Sequence, residues 1–173
     1  MFKRALPLIM AAASITTLAW VGPAGATDHL PGRFTGGGRF SSDTGVKMTH
    51  GFELHCFVDE QPNNLEVNWT GGHSFHLEQM TWASCSDRPN VDPTPPVAPS
   101  DVHNGHGLGR LDGVPGAYAD WRIIDKGEPG TKDRIAITIW DHQGGNVVIQ
   151  TVGGDGSLLD QGNQQAHFDN KAP

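Results

Sequence analysis

Histidine is the residue type whose abundance in this sequence most suggests chemistry. The chain of 173 residues contains nine histidines, and imidazole is a common ligand of transition metals. Three pairs lie close together in sequence: His50 and His55, His73 and His76, His103 and His106. Side chains alternate between the faces of a strand, so the odd separations place the two members of each pair on opposite faces. Only the third pair escapes this objection, because Asn104 and Gly105 suggest a loop; the simpler interpretation is surface histidines without a metal.

A mixed patch of carboxylates and imidazoles is a better candidate for a metal site. If a strand at 50–57 lies beside the hairpin that follows it, five polar side chains are expected on one solvent-facing patch: Glu53, His55, Glu66, His76 and Glu78. Such a ligand set suits a divalent transition ion such as Zn²⁺ or Cu²⁺. The alternative is the ordinary polar outer face of a half-buried sheet, which needs no metal.

Three carboxylates offer a different kind of site. Asp125, Glu128 and Asp133 flank a turn rich in Gly and Pro, and their oxygens are the hard ligands that Ca²⁺ prefers. Turns also recruit Asp to hydrogen-bond their own backbone. Calcium binding and a purely structural turn are therefore both open.

Two tryptophans are candidates for ring stacking on a ligand. Trp82 and Trp140 stand at positions that alternate with the core residues of their strands, so we expect one or both to be exposed. Exposed aromatic rings stack on sugars or anchor protein partners. The alternative is that a neighbouring loop, such as the proline-rich segment 89–99, covers them.

The sequence contains no motif that fixes a catalytic reaction. The patterns G-x-S-x-G, H-E-x-x-H and G-x-x-x-x-G-K-S/T do not occur in it. The glycine-rich run 105–109 lacks the following helix that a phosphate-binding loop needs. We therefore expect a protein that is not an enzyme.

The first residues indicate the compartment. Residues 1–26 have the features of a secretory signal peptide, with a basic start at Lys3 and Arg4, an apolar stretch and a small-residue cleavage site. The apolar stretch is shorter than the ~20 residues that a membrane-spanning helix needs. We expect a secreted or periplasmic protein with no membrane insertion after cleavage, and a retained N-terminal anchor is the alternative.

The two cysteines fit the same compartment. Cys56 and Cys85 are predicted to form a disulfide, because two cysteines in an exported protein most simply pair. Closing a loop of about 30 residues stabilises a fold by roughly 3–4 kcal/mol in the chain-entropy account. Metal ligation by the two thiols is the alternative, although their spacing is far from a C-x-x-C pattern.

The charge of the chain limits its partners. The formal net charge is −7 at pH 7, and it becomes more negative once the basic start is removed. Nucleic acids and anionic membranes both require clustered Lys and Arg, so neither is an expected partner. Cations, neutral glycans and an envelope protein are compatible with this surface.

Residues 27–173 are expected to form a single all-β domain. The 23 glycines and 12 prolines separate short segments that alternate with period two. The predicted strands are 33–40, 46–57, 64–69, 74–84, 105–111, 117–125, 133–141, 146–152 and 163–168. Eight or nine short strands of this kind favour an antiparallel β-sandwich or a barrel-like fold, with segment 89–99 as an extended loop inside the domain.

Strand alternation also predicts which side chains face the core. Val67 and Phe75 share one face only if the intervening loop holds an odd number of residues, so a three-residue loop at 70–72 is expected. The other residues expected to face inward are Cys56, Cys85, Ile135, Ile137 and Ile139. The unbroken apolar run Val147–Ile149 suits a strand that is covered on both faces.

A set of short motifs carries a family resemblance. They are Gly36–Phe40, His50–Cys56, Asn63–Trp69, Phe75–Glu78, Ala83–Cys85, Gly109–Gly116, Asp125–Gly130, Asp133, Ile139–Asp141 and Asn163–His167. Together they resemble the bacterial secreted post-COAP module, which is found in and beside choice-of-anchor surface proteins, and they cover nearly the whole of residues 27–173. The resemblance implies an extracellular or envelope β module and brings no catalytic residues. The chain departs from the family's pattern at Gln164, where a His is usual.

The sequence therefore favours an exported, non-enzymatic β module with a recognition or structural role at the cell envelope or outside the cell. Two alternatives stand beside it. One is a protein that binds a divalent metal, either Ca²⁺ or Zn²⁺/Cu²⁺, and the other is a carbohydrate-binding module that uses its exposed tryptophans.

Overall fold

The computed structural model describes residues 30–88, 91 and 98–168. The predicted signal peptide, 1–26, and most of the proline-rich segment lie outside the described residues. The described chain forms ten β-strands: β1 (Arg33–Ser41), β2 (Lys47–His55), β3 (Asn64–Trp69), β4 (His73–Ser86), β5 (Val102–Leu111), β6 (Val114–Ile124), β7 (Arg134–Trp140), β8 (Val147–Gln150), β9 (Ser157–Leu158) and β10 (Gln161–His167). A single 3-10 turn, Gly130–Lys132, precedes β7.

All strand pairs are antiparallel and belong to one sheet. The strand order is β10-β1-β2-β3-β4-β5-β6-β7-β8, and the two-residue strand β9 pairs separately with β7. The sheet curls around a single main core, as a half-barrel does. The predicted all-β, barrel-like fold with one disulfide is therefore confirmed, and only the short β9 is absent from the predicted strands.

The two ends of the sheet approach each other without a continuous ladder between them. The backbone N–H of Asp43 donates to the carbonyl of Gln150 over 3.0 Å, which ties the turn after β1 to β8. The hydroxyl of Ser157 in β9 donates to the carbonyl of Ser41 at the end of β1, over 2.6 Å. Loops and side chains thus close the curled sheet in place of a further strand pair.

Interior glycines in β5 let the sheet curl tightly over its core. A methyl group at Gly105 would lie 2.6 Å from the ring of Trp121, and one at Gly109 would lie 2.8 Å from the ring of Phe75. Only hydrogen therefore fits on this side of the strand. Because successive residues alternate, the side chains between these glycines, including His106, point to the outer face.

The β3–β4 hairpin has the predicted register. Trp69 pairs with His73 and Val67 pairs with Phe75, so the connecting loop holds three residues. The last two are Gly71 and Gly72, with φ of 97° and 83°, a backbone conformation that glycine adopts without steric cost.

Strand β4 contains two bulges that cancel each other. They lie between Leu77 and Gln79 and between Met80 and Trp82, and each shifts the alternation by one residue. Met80 faces the core between them, and the original alternation returns before Cys85.

The predicted disulfide joins the ends of β2 and β4. The Cα atoms of Cys56 and Cys85 are 5.4 Å apart, and both side chains are fully buried. The bridge holds the far ends of two strands that β3 separates in the sheet.

Strands β7 and β8 test the two other predictions about which side chains are buried. Ile135, Ile137 and Ile139 are buried, as predicted. The prediction that Val147–Ile149 is covered on both faces is wrong, because Val147 and Val148 are 49% and 41% exposed. Strand β8 ends the sheet order, so it has a sheet neighbour on one side only.

None of the helices found within the described ranges has the length and apolar character required to cross a membrane.

Candidate functional site

The structure disperses the predicted carboxylate–imidazole patch. Glu53 forms an ion pair with Arg33 over 2.8 Å. The expectation that His55 projects into solvent is wrong, because its side chain is buried under the β2–β3 loop and its Nδ1–H donates to the carbonyl of Pro62 over 2.9 Å. That loop folds back over the end of β2, since the side chain of Asn63 also accepts the backbone N–H of His55.

The other three members of the patch are divided between two separate pairs on the outer face. His76 lies 2.8 Å from Glu66, with which it is paired in the sheet. Glu78 accepts a hydrogen bond from Arg110 over 2.5 Å. Within residues 30–88, 91 and 98–168, no group of three or more His, Cys, Asp or Glu is placed to hold a metal ion.

The three carboxylates of the predicted calcium loop are close together, and we call Asp125, Glu128 and Asp133 the closure cluster. One oxygen of Asp133 accepts the backbone N–H of Gln164, and one oxygen of Asp125 accepts that of Ala166, each over 2.8 Å. Their second oxygens accept backbone N–H groups of the loop itself. Glu128 accepts two amide side chains of β10, each over 2.7 Å. The cluster therefore fastens the β6–β7 loop to the outer edge of β10.

Two histidines lie in the core, which corrects the interpretation of all three pairs as surface residues. His103 belongs to β5, not to a loop, and it is fully buried. Its Nε2–H donates to the carbonyl of His55, and its Nδ1 accepts the indole N–H of Trp121. Burial lowers the pKa of His103 to about 4 and that of His50 also to about 4. Both rings are therefore neutral structural members of the core.

The outer face of β4–β7 carries a row of four aromatic rings, which we call the aromatic strip: Trp82, His106, Tyr118 and Trp140. The ring centroids of Trp82 and His106 are 5.4 Å apart with an interplanar angle of 14°. The next two spacings, from His106 to Tyr118 and from Tyr118 to Trp140, are both 5.6 Å. The strip therefore joins the two tryptophans that the sequence singles out.

Strand register and the β4 bulges put these rings side by side. Trp82 is paired with His106 across β4 and β5, and Tyr118 with Trp140 across β6 and β7. Beside the second bulge, consecutive residues Thr81 and Trp82 are both exposed. The Thr81 hydroxyl lies 2.9 Å from His106 Nδ1 and 3.2 Å from the His106 carbonyl oxygen, which fixes the imidazole in the row.

Two shallow cavities adjoin the strip, one near each tryptophan, and we call them the end cavities. The first, of about 370 Å³, is lined by Thr81, Gln79, Asp59 and Gln61, among other residues. The second, of about 330 Å³, includes Trp140 itself. Its polar lining consists of Asn104, Asp120, Arg122 and Thr138. Polar groups thus adjoin the strip near both of its tryptophans.

The second cavity holds polar groups that are open to a ligand. In the part of the chain that the structure describes, the side chains of Asp120 and Thr138 have no hydrogen-bond partner. Partial burial raises the pKa of Asp120, against the opposing effects of His106 and Arg122. Arg122 is itself engaged, since it donates to the side chain of Asn104 over 2.8 Å.

A third cavity, of about 430 Å³, lies at the β8 edge of the sheet, beyond Trp140. It is formed by β8 and the turns near it, with Val147, Val148 and Trp69 among its apolar residues. Its polar groups Asp43 and Gln150 are hydrogen-bonded to each other over 2.7 Å. No comparable row of rings borders it among the described residues, so we do not regard it as the main site.

Sequence reasoning missed the two central rings of the strip, His106 and Tyr118. Alternation around Trp121 would have placed Tyr118 on the outer face, but no pattern in one strand reveals its neighbours in the next. Trp82 is exposed, as predicted, and Trp140 is half-buried. Comparisons of the chain with protein-family models, with curated proteins and with solved structures found no match.

Proposed function

We propose that this protein is an exported, non-enzymatic recognition module that binds carbohydrate through the aromatic strip. The observation that carries the proposal is the alignment of Trp82 and Trp140 with two further rings on one outer face. A sugar ring offers an apolar face of C–H groups to an aromatic ring and a rim of hydroxyls to polar side chains. Strip and cavities supply both kinds of contact.

The polar groups beside the strip favour a neutral ligand. Asp120 and Asp59 place carboxylates in the two end cavities, and they repel anionic polymers. The positive charge of Arg122 is shared with Asp155, whose carboxylate lies 3.6 Å away. A formal net charge of −7 acts in the same direction. Neutral glycans are therefore a better match than nucleic acids or acidic polysaccharides.

An extracytoplasmic location is part of the proposal. The buried disulfide is compatible with an oxidising compartment, and the features of residues 1–26 support export by a cleaved signal peptide. The resemblance to the post-COAP module supports a place at the cell envelope or outside the cell. Intact-mass measurement of exported protein tests this part, with a chain that starts at Thr27 expected and an uncut chain contradicting it.

A glycan titration tests the binding function. Purified exported protein is titrated with a panel of neutral, acidic and amino-sugar glycans while tryptophan fluorescence and binding heat are followed. We expect saturable binding to a neutral glycan without release of any cleavage product, and loss of that binding in the Trp82→Ala, Trp140→Ala double variant.

A matched control shows whether the loss of binding is specific to the rings of the strip or follows from removing any exposed aromatic side chain. Phe168 is 58% exposed just after β10, at the opposite end of the sheet, so Phe168→Ala should bind as the unaltered protein does. Circular dichroism checks that every variant is folded. Absence of binding across the panel, or equal binding by the double variant, would overturn the proposed function.

A further inference from the structure

The geometry points to one class of ligand: an unbranched neutral oligosaccharide that lies across β4–β7 and reaches both end cavities at once. This inference rests on the proposed function and makes it more specific. It concerns which glycans bind and where they lie on the sheet.

The two tryptophans are the ends of the strip. Among the described residues, Trp82 has one aromatic neighbour, His106, and Trp140 has one, Tyr118. His106 and Tyr118 each have a ring on either side. Each tryptophan therefore keeps one side free of other rings, and the two central rings act mainly as a spacer between them.

The spacer is longer than a single sugar. The rings come from four neighbouring strands, and strands in a sheet are about 4.8 Å apart, so the outer rings are separated by roughly 14 Å. One pyranose ring cannot contact both tryptophans over that distance. An extended oligomer can do so.

The end cavities have matching chemistry. The cavity beside Thr81 offers Asp59, Gln61 and Gln79, and the cavity beside Trp140 offers Asp120 and Thr138. Carboxylates, amides and hydroxyls are the groups that bind sugar hydroxyls. Two nearby basic residues are already engaged: Arg110 pairs with Glu78, which lines the first cavity, and Arg122, which lines the second, donates to Asn104.

Two separated contacts on one ligand predict a step in affinity with ligand length. A short sugar occupies one end at a time, whereas a longer chain joins both contacts in one molecule, which multiplies their effect. The affinity should therefore rise steeply at the length that spans both tryptophans and change little beyond it.

Calorimetric titration of the exported chain with three series of unbranched oligomers tests the inference. The probes are β-linked glucose, β-linked xylose and α-linked glucose, each from the monosaccharide to the hexasaccharide. In the series that binds, we expect at least about a tenfold gain in affinity between the short and the long members.

Single variants show whether both ends contribute to that gain. Trp82→Ala and Trp140→Ala should each remove the step and leave the binding of the shortest active sugar within about twofold, because the other end is intact. The Phe168→Ala control should keep the full step. Substitution of either tryptophan by Leu keeps apolar bulk and should remove the step equally, which guards against a folding defect.

The outcomes separate the inference from the proposed function. Binding that is independent of length, or a step that survives either single variant, would overturn the inference and leave carbohydrate binding in place. A strict preference for branched or charged glycans would overturn it as well. If no series binds and the wider panel is also inactive, the proposed function fails together with the inference.

Discussion

The sequence nominates the closure cluster and the two tryptophans of the aromatic strip as candidate binding residues, but the polar atoms of the two regions are used in opposite ways. All four carboxylate oxygens of Asp125 and Asp133 accept backbone N–H groups. On the strip side, the carboxylate of Asp120 has no hydrogen-bond partner among the described residues, and Trp82 is 42% exposed. Residue type alone identifies a candidate site. Whether a ligand can bind there depends on whether the polar atoms of the site already have hydrogen-bond partners within the protein.

The two regions also differ in what surrounds them. Asp133 is fully buried, and burial raises its pKa to about 6, so its hydrogen bonds are isolated from competing water. The strip faces solvent on a sheet with one main core on its other side. The closure cluster should therefore govern stability, and the strip should govern binding.

The largest expected effect comes from breaking the closure cluster. Asp133→Ala removes the acceptor of two backbone N–H groups, that of the partly buried Lys126 and that of the buried Gln164, which should lower the free energy of unfolding by about 2–4 kcal/mol. Chemical denaturation measures the loss. The control is Asp160→Ala, which breaks only an exposed ion pair with Lys47 and should cost less than ~1 kcal/mol. Equal losses in the two variants would contradict a structural role for the cluster.

The next prediction tests the core packing beneath the strip, where the Trp121 ring lies against Gly105 of β5. Gly105→Ala places a methyl group 2.6 Å from the Trp121 ring and should destabilise the fold by about 1–3 kcal/mol through overpacking. Gly51→Ala is the matched control, since a methyl group there meets nothing within 4 Å. Thermal unfolding compares the two variants, and an undisturbed Gly105→Ala protein would contradict the close packing of Trp121 against β5.

The third prediction concerns the pH dependence of stability, which depends on the buried histidines and not on the exposed strip. The pKa of His103 is lowered from 6.5 to about 4 by burial, so only the unfolded chain takes up a proton between these values. Its contribution to stability is therefore complete above pH 6.5 and falls by up to ~1.4 kcal/mol per pH unit as the pH drops toward 4. His50 adds a change of the same sign.

The variant His103→Leu isolates this contribution. The raised pKa values of Asp101 and Asp133, both about 6, act in the opposite direction, since their contributions are lost as the pH rises toward 6. These carboxyl groups are present in both proteins, so they cancel in the difference. Denaturation curves from pH 7 to 4 should show the unaltered protein losing stability relative to the variant, and parallel curves would contradict the assignment.

The smallest effect concerns how the strip is held. Thr81→Val removes the hydroxyl beside His106 and should change stability by less than ~1 kcal/mol because the contact is exposed. We expect about a two- to threefold loss of glycan affinity, since the central imidazole is no longer fixed. Thr49→Val, at an exposed position on β2, is the control in the same titration. Equal affinities would show that the hydroxyl does not position the strip.

Much of the fold follows from alternation within single strands. The pairing of Val67 with Phe75 depends on parity and loop length, and both can be read from sequence. The inward position of Cys85 was predicted by extending the parity of Phe75 through β4. That extension succeeds only because the two bulges in the strand cancel, and nothing in the local pattern announces either one.

The remainder depends on contacts between distant segments. The burial of His55 and His103 results from a loop that covers one and a strand that carries the other inward. The exposure of Val147 depends on β8 ending the sheet order, which no run of apolar residues can reveal. The strip was only partly predictable for the same reason. The sequence identified its two tryptophans, but the rings between them belong to other strands.

The placement of β10 beside β1 has a consequence for how the chain acquires its shape. The first strand has a neighbour on one flank only until residues 161–167 arrive, so most of the molecule must be made before its beginning is protected. Such distant pairings slow folding, and a bare strand flank invites association with other chains. A chain that lost its final strand would keep nearly all of its core residues and still present that flank to other molecules.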